Sequence, residues 1–177
     1  MDIKYRAVTA SNWRDFEELF EGSGGPKFCW CMVWRKMIIG GSRSSAADKK
    51  ESIVNYVRES FPIGILGYKA NEPIAWCSIA PRETYRNLSG NTSIDHVWSL
   101  VCFFIKRSYR RQGMSERLIA EAIRYAKDNK ARYVEAYPID PEGTSYRFMG
   151  FRQVFEKLGF VFTHKAGTRR NVMLLKL

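Results

Sequence analysis

Arg110-Arg111-Gln112-Gly113-Met114-Ser115 is the stretch that decides how this chain is interpreted. It lies between a long apolar segment, Val97 to Ile105, and an amphipathic segment that starts near Met114 and has helical spacing. A glycine turn that leads into a helix N-terminus presents free backbone N–H groups, and the helix dipole adds partial positive charge there. Such a turn binds phosphate, and two arginines can add charge-assisted hydrogen bonds. The stretch therefore predicts a phosphate-bearing ligand and its docking position.

The composition fits one compact domain, which we expect to span residues 1–177. The chain has 177 residues, of which 45% are hydrophobic, enough for a sizeable core. It contains no apolar run of about 18 residues, so we expect no membrane span. The first residues, Met1 to Arg6, are mixed in polarity and lack the apolar run of a signal peptide, which favours a cytoplasmic protein.

The four cysteines do not predict a metal site. Cys77 and Cys102 lie in apolar, strand-like segments, where cysteine usually acts as a small buried hydrophobe. Cys29 and Cys31 form one local pair, but a structural zinc site usually takes two such pairs, and the two histidines are far apart in the sequence. We therefore expect neither a bound metal nor a disulfide network.

The net charge of +11 leaves several partners open. It is compatible with a nucleic acid, an acidic partner, a polyanionic cofactor or simply a solvated basic surface. The basic residues are spread along the chain and form no helix-turn-helix, zinc-finger or RNP pattern, which argues against nucleic acid. Charge alone does not choose among the remaining alternatives.

The hydrophobic pattern predicts elements in the order β-α-α-β-β-β-α-β-α-β-β. Val97 to Ile105 is almost continuously apolar, as is typical of a central strand buried on both faces. The helix that starts near Met114 has apolar residues at i+4 spacing. We predict a mixed sheet with helices on both faces. The predicted strands are 3–8, 63–69, 74–80, 97–105, 132–137, 160–164 and 171–175; the predicted helices are 13–20, 48–60, one starting near 114, and 146–158; a polar loop opens at Gly40-Gly41-Ser42.

These motifs in this order resemble the GNAT superfamily of acetyl-CoA-dependent N-acetyltransferases. The acetyl-CoA signature of that family, Gln/Arg-x-x-Gly-x-Gly/Ala, corresponds to Arg110 to Ser115, with a serine as the last small residue. The second marker, usually Phe-Tyr-Glu-Lys-x-Gly-Phe, corresponds to Val154 to Phe160. The resemblance covers residues 63–177, an acetyl-CoA-binding core, and more loosely residues 1–62, the variable acceptor-side part. Trp98 to Ile105 and Val134 to Asp140 are similar to a subgroup of bacterial GNAT proteins.

The resemblance implies a fold and a reaction. The fold is a mixed, mostly antiparallel sheet whose fourth and fifth strands splay apart in a V, with helices on both faces. The reaction is transfer of acetyl from acetyl-CoA, a co-substrate, to a primary amine of a small molecule or protein by direct attack. Nucleic acid, membrane and metal are not part of this expectation, and a homodimer is compatible with it.

The resemblance also implies where acetyl-CoA binds. Backbone N–H groups of Arg111 to Ser115 would hold the pyrophosphate, and the Arg110 and Arg111 side chains would add phosphate contacts, although both are also compatible with a solvated surface pair. The backbone of the strand end would pair with the pantetheine arm as an added strand does. An N–H group at the splay would stabilise the oxyanion. The expected cofactor-binding residues are Phe103, Phe104, Ile105, Arg110, Arg111, Gln112, Gly113, Met114 and Ser115.

The attacking amine must lose a proton, so a general base is expected. Glu135 is the first candidate because it lies on an otherwise apolar strand beside the expected splay. The alternative roles of Glu135 are a charge on the solvent side of the strand and an ion pair with an arginine. Asp95 and His96, at the start of the central strand, are second choices or ordinary loop residues. Many family members carry a carboxylate near the position of Ser99, which leaves the assignment open.

The leaving CoA thiolate must gain a proton, and the residue that usually supplies it is missing. The tyrosine of the second marker is replaced here by Phe155. Tyr137 and Tyr146 are the candidate replacements, although each is also compatible with ordinary packing, and water is an alternative. Cys102 as an acetylated nucleophile would require a two-step mechanism, and a cysteine in an apolar strand is expected to be inert.

Two questions stay open at this stage. Phe28 to Trp34 is compatible with hydrophobic core and with an aromatic wall of the acceptor pocket. The missing tyrosine and the high positive charge also allow a non-catalytic module that senses acyl-CoA or binds RNA.

Overall fold

The computed structural model describes residues 2–40 and 44–177. The polar loop predicted at Gly41 and Ser42 lies outside these residues. Within them the chain forms seven strands and four α-helices, in the predicted order. They are β1 (Lys4–Ala7), α1 (Trp13–Glu21), α2 (Ala46–Arg58), β2 (Ile65–Lys69), β3 (Glu72–Pro81), β4 (Val97–Ile105), α3 (Met114–Asp128), β5 (Tyr133–Ala136), α4 (Arg152–Lys157), β6 (Val161–Ala166) and β7 (Arg170–Lys176).

The strands form one mixed sheet in the order β1-β2-β3-β4-β5-β7-β6. Only β4 and β5 are parallel; the other neighbours are antiparallel. This confirms the predicted mixed, mostly antiparallel sheet. Helices α3 and α4 pack on one face, around Leu100 and Val134, and helices α1 and α2 pack on the other, around Trp76.

The central strand β4 is paired along its length on one side only. It pairs with β3 from Trp98 to Ile105, but with β5 only from Val97 to Leu100. The register of β3 and β4 shifts so that Val101 has no partner in β3, which is the pattern of a β-bulge. Beyond this bulge the strands β4 and β5 separate, as expected for the V-shaped splay. We call Val101 to Ile105 the open edge of β4.

The predicted helix 146–158 is wrong in its first half. Tyr146 and Gly150 both have left-handed backbone conformations, with φ of 62° and 83°. Arg147–Met149 forms only a short 3-10 turn between them, and α4 starts at Arg152. A Cβ at Gly150 would lie 3.0 Å from the ring of Phe155, so the glycine also allows close packing here. The apolar periodicity extended into this segment, but the backbone did not follow it.

Candidate acetyl-CoA site

The turn between β4 and α3 is shaped by two left-handed residues. Arg111 has φ of 61°, and Gly113, the N-cap of α3, has φ of 71°. A Cβ at Gly113 would meet no heavy atom within 4 Å, so glycine is needed for its backbone angle, and the space before the helix is open. No side chain caps this helix end. Ser115 lies in the first turn of α3 and does not cap it.

The backbone N–H groups of this turn are available to a ligand. Among the described residues, Arg111, Gln112 and Gly113 donate no backbone hydrogen bond to a carbonyl of a turn or loop. The first N–H groups of α3 have no intrahelical acceptor, because helix geometry leaves them without one. With no capping side chain, these donors lie at the positive end of the helix dipole without a protein acceptor from a side chain. That geometry suits the pyrophosphate that the resemblance implies.

The side chains of the turn have different environments. Arg110 is exposed but its Nε donates to the carbonyl of Ile105 at 2.8 Å, which ties the turn to the open edge of β4. Gln112 donates to the carbonyl of Ser108 at 2.9 Å and so braces the turn. Met114 is buried in the core, so only its backbone can face a ligand. Arg111 is exposed, with its guanidinium free to approach an anion at the turn.

The open edge of β4 presents backbone groups away from β3. The N–H of Lys106 donates to the carbonyl of Ile74 in β3 at 2.9 Å. Because backbone groups alternate in direction along a strand, those of Ile105 and Phe103 point to the opposite side, where β5 has ended. The contact between Arg110 and the Ile105 carbonyl agrees with this direction. The Phe103 ring packs 6.1 Å from that of Phe155.

A cavity of about 340 Å³ lies beside the open edge. We call it the β4 cavity. Its lining is almost wholly apolar and comes from the open edge, from the segment before α2 and from the 3-10 turn. The lining residues are Pro26, Cys29, Cys31, Val33, Trp34, Val101, Cys102, Phe103, Phe104 and Phe148.

Phe28 to Trp34 is divided among the core, the β4 cavity and the surface. Trp30 is buried in the core against Phe16 and Phe20. Cys29, Cys31, Val33 and Trp34 line the β4 cavity, whereas Phe28 is exposed.

Glu135 is fully buried and is held by an ion pair. Its Oε1 accepts hydrogen bonds from Arg82 Nη1 and from the Asn91 N–H, both at 3.0 Å. Its Oε2 accepts one from the Tyr137 hydroxyl at 2.9 Å. Glu135 does not line the β4 cavity. The structure therefore has the ion-pair arrangement that the sequence left open for this residue.

The other candidates for proton transfer lie apart from one another. Tyr137 is buried beside Glu135, and its hydroxyl is 3.3 Å from Ser99 Oγ. Burial and the Glu135 charge raise the pKa of Tyr137. Tyr146 is half-buried elsewhere, with its ring 5.8 Å from that of Trp34. Asp95 and His96 are exposed before the first residue of β4, at the opposite end of the strand from the cavity.

Cys31 is a site residue that the sequence did not single out for chemistry. It is 4% exposed, and its Sγ accepts a hydrogen bond from Trp76 Nε1 at 3.2 Å. Cys31 and the preceding Trp30 both have left-handed backbone angles, with φ of 56° and 45°. Two successive non-glycine residues in this region are uncommon. The sequence pattern offered only the local pair of Cys29 and Cys31, which does not predict this environment.

Arg35 is the second residue near the cavity whose role the sequence did not predict. Its guanidinium is fully buried and donates to the Tyr85 hydroxyl at 2.8 Å, the Ile63 carbonyl at 2.9 Å and Ser78 Oγ at 3.2 Å. Its Nη1 donates to Thr84 Oγ1 at 3.1 Å. Within residues 2–40 and 44–177 it has no carboxylate partner. The only signal in the sequence for a buried arginine was its position directly after an aromatic segment.

In the described part of the chain, no group of three or more His, Cys, Asp or Glu side chains is arranged to hold a metal ion. No helix there is long and apolar enough to cross a membrane.

Comparisons with known proteins give the same fold. Residues 10–160 match the sequence profile of the Acetyltransferase (GNAT) family. No curated protein matches the chain in sequence. Solved structures that share the fold include the PaiA N-acetyltransferase from Thermoplasma acidophilum in complex with coenzyme A, with a TM-score of 0.60, 15% identity and 100% of both chains covered.

Two further solved structures are similar over nearly all of their length. One is the ribosomal-protein-alanine N-acetyltransferase from Brucella melitensis, with a TM-score of 0.57, 14% identity, and 98% of this chain and 99% of that chain covered. The other is AAC(6')-Ib in complex with paromomycin and acetyl-CoA, with a TM-score of 0.64, 15% identity, and 99% and 94% covered. At these identities the likeness concerns the fold.

Proposed function

Because the chain belongs to the GNAT acetyltransferase family, we propose that it transfers acetyl from acetyl-CoA to a primary amine of a small molecule or protein by direct attack. One observation carries this proposal. The turn with free N–H groups, the open edge of β4 and the β4 cavity are continuous, joined at the contact of Arg110 with Ile105. A ligand with a pyrophosphate, an amide-rich arm and a small reactive end matches the three parts in that order.

The proposed position of acetyl-CoA follows from these parts. Its pyrophosphate accepts hydrogen bonds from backbone N–H groups of Arg111 to Ser115, with charge-assisted contacts from Arg110 and Arg111. Its pantetheine arm pairs with backbone groups of Phe103 to Ile105 as an added strand. The thioester then lies near the bulge at Val101, beside the β4 cavity. An N–H group there, aimed at the developing oxyanion, would contribute several kcal/mol, about 3 in comparable sites.

Glu135, Tyr137 and Tyr146 remain proposed groups for proton transfer. The Tyr137 hydroxyl connects Glu135 to Ser99 on β4, so a proton taken up there would have to travel through this chain. The burial of Glu135 and its ion pair with Arg82 favour a positioning role for the carboxylate. Tyr146 lies behind Trp34, one of the cavity residues.

The cavity favours an acceptor with an apolar group next to its amine. No carboxylate lines the β4 cavity, and the protein carries a net charge of +11. Polycationic amines would therefore be repelled without a local acidic group to bind them. Val33, Trp34 and Phe148 offer apolar and aromatic contact surface instead. A small arylalkyl amine such as phenethylamine is the first acceptor to test.

The experiment is a panel of primary amines, including phenethylamine, in which release of free CoA thiol is followed with time. We expect thiol release that depends on both acetyl-CoA and the amine, with the acetylated amine found by mass spectrometry. Binding of acetyl-CoA without release for any amine would favour a non-catalytic sensor of acyl-CoA. No thermal stabilisation by acetyl-CoA, but a salt-sensitive one by RNA, would contradict the enzyme and favour the RNA-binding alternative.

A further inference from the structure

We propose that Cys31, as a thiolate, accepts the proton of the acceptor amine before the amine attacks the thioester. This inference rests on the proposed N-acetyltransferase activity and assigns the missing base. It places proton uptake inside the β4 cavity, whereas the first candidate base from the sequence, Glu135, lies outside it.

The first argument is the lining of the cavity. The ten residues that line it include no carboxylate, imidazole, ammonium or phenol. The titratable groups among them are the thiols of Cys29, Cys31 and Cys102. An amine that reaches the thioester through this cavity therefore meets thiols and no other base of the protein. Glu135, in contrast, is enclosed by Arg82, Asn91 and Tyr137.

The second argument is that the surroundings of Cys31 donate hydrogen bonds to its sulfur. An indole N–H is only a donor, so the contact with Trp76 requires the Cys31 sulfur to accept. Neighbouring polar side chains of Cys102 and Ser78 also lower the pKa of Cys31. A buried donor aimed at the sulfur favours the thiolate over the thiol. The left-handed backbone of Trp30 and Cys31 holds the sulfur in this position at a conformational cost.

The third argument is the buried positive charge of Arg35. Its four hydrogen-bond partners are neutral oxygens, and its Nε has no partner among the described residues. A buried guanidinium is costly without a negative charge nearby. The Arg35 charge lowers the pKa of Cys31, so an ionised Cys31 would supply such a charge.

These effects outweigh the burial of the thiol. Burial opposes ionisation, but the hydrogen bonds and the Arg35 charge bring the pKa of Cys31 down to about 7. The pKa of Cys102 is raised, first by its hydrogen bond to Cys31, and that of Cys29 is raised by burial. Around Cys31, Cys77 and Tyr85 also have raised pKa values, chiefly through burial. Among the thiols that line the cavity, Cys31 is thus the one whose pKa is lowered.

The proton and bond changes balance. The ammonium form of the amine gives one proton to the Cys31 thiolate, which becomes a thiol. The neutral amine forms a bond to the thioester carbonyl carbon, and the bond from that carbon to the CoA sulfur breaks. The CoA thiolate leaves and takes the proton from Cys31, which returns to the thiolate. The second proton on nitrogen goes to solvent, so one proton is released for each acetyl transferred.

The test begins with a measurement that needs no acceptor. Thiolates absorb near 240 nm, so a pH titration of the wild-type protein at this wavelength, compared with Cys31→Ser, reports the ionisation of Cys31. We expect a difference titration with a midpoint near pH 7. Cys77→Ala is the matched control, because it removes a buried thiol of β3 that lies on the other face of the sheet, and it should retain the same titration. A midpoint above pH 9 for Cys31 would overturn the proposal.

The second part compares turnover of phenethylamine and acetyl-CoA by the same variants. For the wild type and Cys77→Ala, kcat should rise with pH through a midpoint near 7. Cys31→Ser and Cys31→Ala should lose this inflection, with kcat lower by about 100-fold, while the Kd for acetyl-CoA stays within about threefold. Unchanged acetyl-CoA binding separates failure of this inference from failure of the proposed function. A wild-type pH profile in both Cys31 variants would overturn the proposal.

The third part of the test is intact-mass analysis of the protein after incubation with acetyl-CoA alone. We expect no acetyl adduct on the protein, because Cys31 takes up a proton and forms no bond to carbon. An acetyl group mapped to Cys31 that is consumed when the amine is added would overturn the base role and show a covalent intermediate.

Discussion

At the scale of single residues, the buried carboxylate of Glu135 has a structural role. Its carboxylate has three hydrogen-bond donors, one of them the Arg82 guanidinium, and no solvent exposure. A Cβ at Gly90 would overlap this carboxylate, so the loop before β4 closes directly over it. The charge therefore holds that loop, β5 and Arg82 together.

The prediction at this residue is a large loss of stability for Glu135→Gln. We expect the free energy of unfolding to fall by about 3 kcal/mol, because Arg82 loses its counter-charge within a mostly buried network. Glu121→Gln is the matched control. Glu121 pairs with Arg124 on the exposed surface of α3, so its loss should cost less than about 1 kcal/mol. Urea unfolding of both variants measures the difference, and equal effects would contradict the structural role of Glu135.

Single residues were predictable from the sequence where local rules decide. The left-handed Gly113 before α3 and the buried Met114 follow from turn chemistry and from helical spacing. Cys31 and Arg35 were not predictable, because their properties come from residues far away in sequence. Trp76 supplies the donor to Cys31, and Tyr85 supplies one of the partners of Arg35. No pattern around position 31 reports such contacts.

At the scale of elements, a capping box stabilises the N-terminus of α2. Ser45 Oγ accepts a hydrogen bond from the Asp48 N–H at 3.1 Å, and Asp48 Oδ2 accepts one from the Ser45 N–H at 2.8 Å. This helix presents Tyr56, whose hydroxyl donates to the Lys36 carbonyl at 3.1 Å beside Arg35. The cap thereby supports the helix that packs against the segment of Cys31 and Arg35.

We predict that Ser45→Ala lowers the free energy of unfolding by about 1 kcal/mol. The hydrogen bonds from Ser45 lower the pKa of Asp48, so the folded state favours the charged carboxylate. This stabilisation is present above the ordinary pKa of an aspartate and is lost as pH falls through the lowered one. The effect of Ser45→Ala, measured by urea unfolding, should therefore shrink in acid. Ser93→Ala, in an exposed loop, is the control and should stay within about 0.5 kcal/mol at all pH values.

The positions of the helices and strands were largely predictable from the sequence, and the one helix that differs does so for a physical reason. The bounds of β4 agree with the sequence prediction, and the other strands differ by a few residues at their ends. Apolar runs and helical spacing carry this information locally. The predicted helix at 146–158 is shortened because Tyr146 and Gly150 take left-handed conformations. Tyrosine at such a position gives no signal in the sequence.

At the scale of the whole molecule, the net charge of +11 should attract a polyanionic ligand such as the proposed acetyl-CoA. We predict that the Kd for acetyl-CoA rises several-fold between low salt and about 0.3 M salt, because salt screens the attraction of exposed charges for the phosphates. S-acetylpantetheine, which lacks the phosphates, is the control, and its binding should change little. Equal salt dependence for both ligands would contradict phosphate binding at the turn.

The arrangement of the site was only partly predictable at this scale. The resemblance implied a splay between the fourth and fifth strands, and the loss of pairing after Leu100 agrees with it. The lining of the β4 cavity was not predictable, because it joins the open edge to Cys31 and Trp34, about 70 residues earlier in the chain. Long-range packing decides which of the predicted residues reach the cavity, and it leaves Glu135 outside.

The most direct test of the account is a calorimetric titration of acetyl-CoA into the wild type, Gly113→Ala and Gly167→Ala. Both glycines have a left-handed φ and open space around the missing Cβ, so each alanine should cost about 1 kcal/mol of stability. Only Gly113 belongs to the turn that we propose holds the phosphates. We predict one site in the wild type, affinity weaker by at least about tenfold in Gly113→Ala, and wild-type affinity in Gly167→Ala. No binding to the wild type, or equal affinity in all three proteins, would contradict the account.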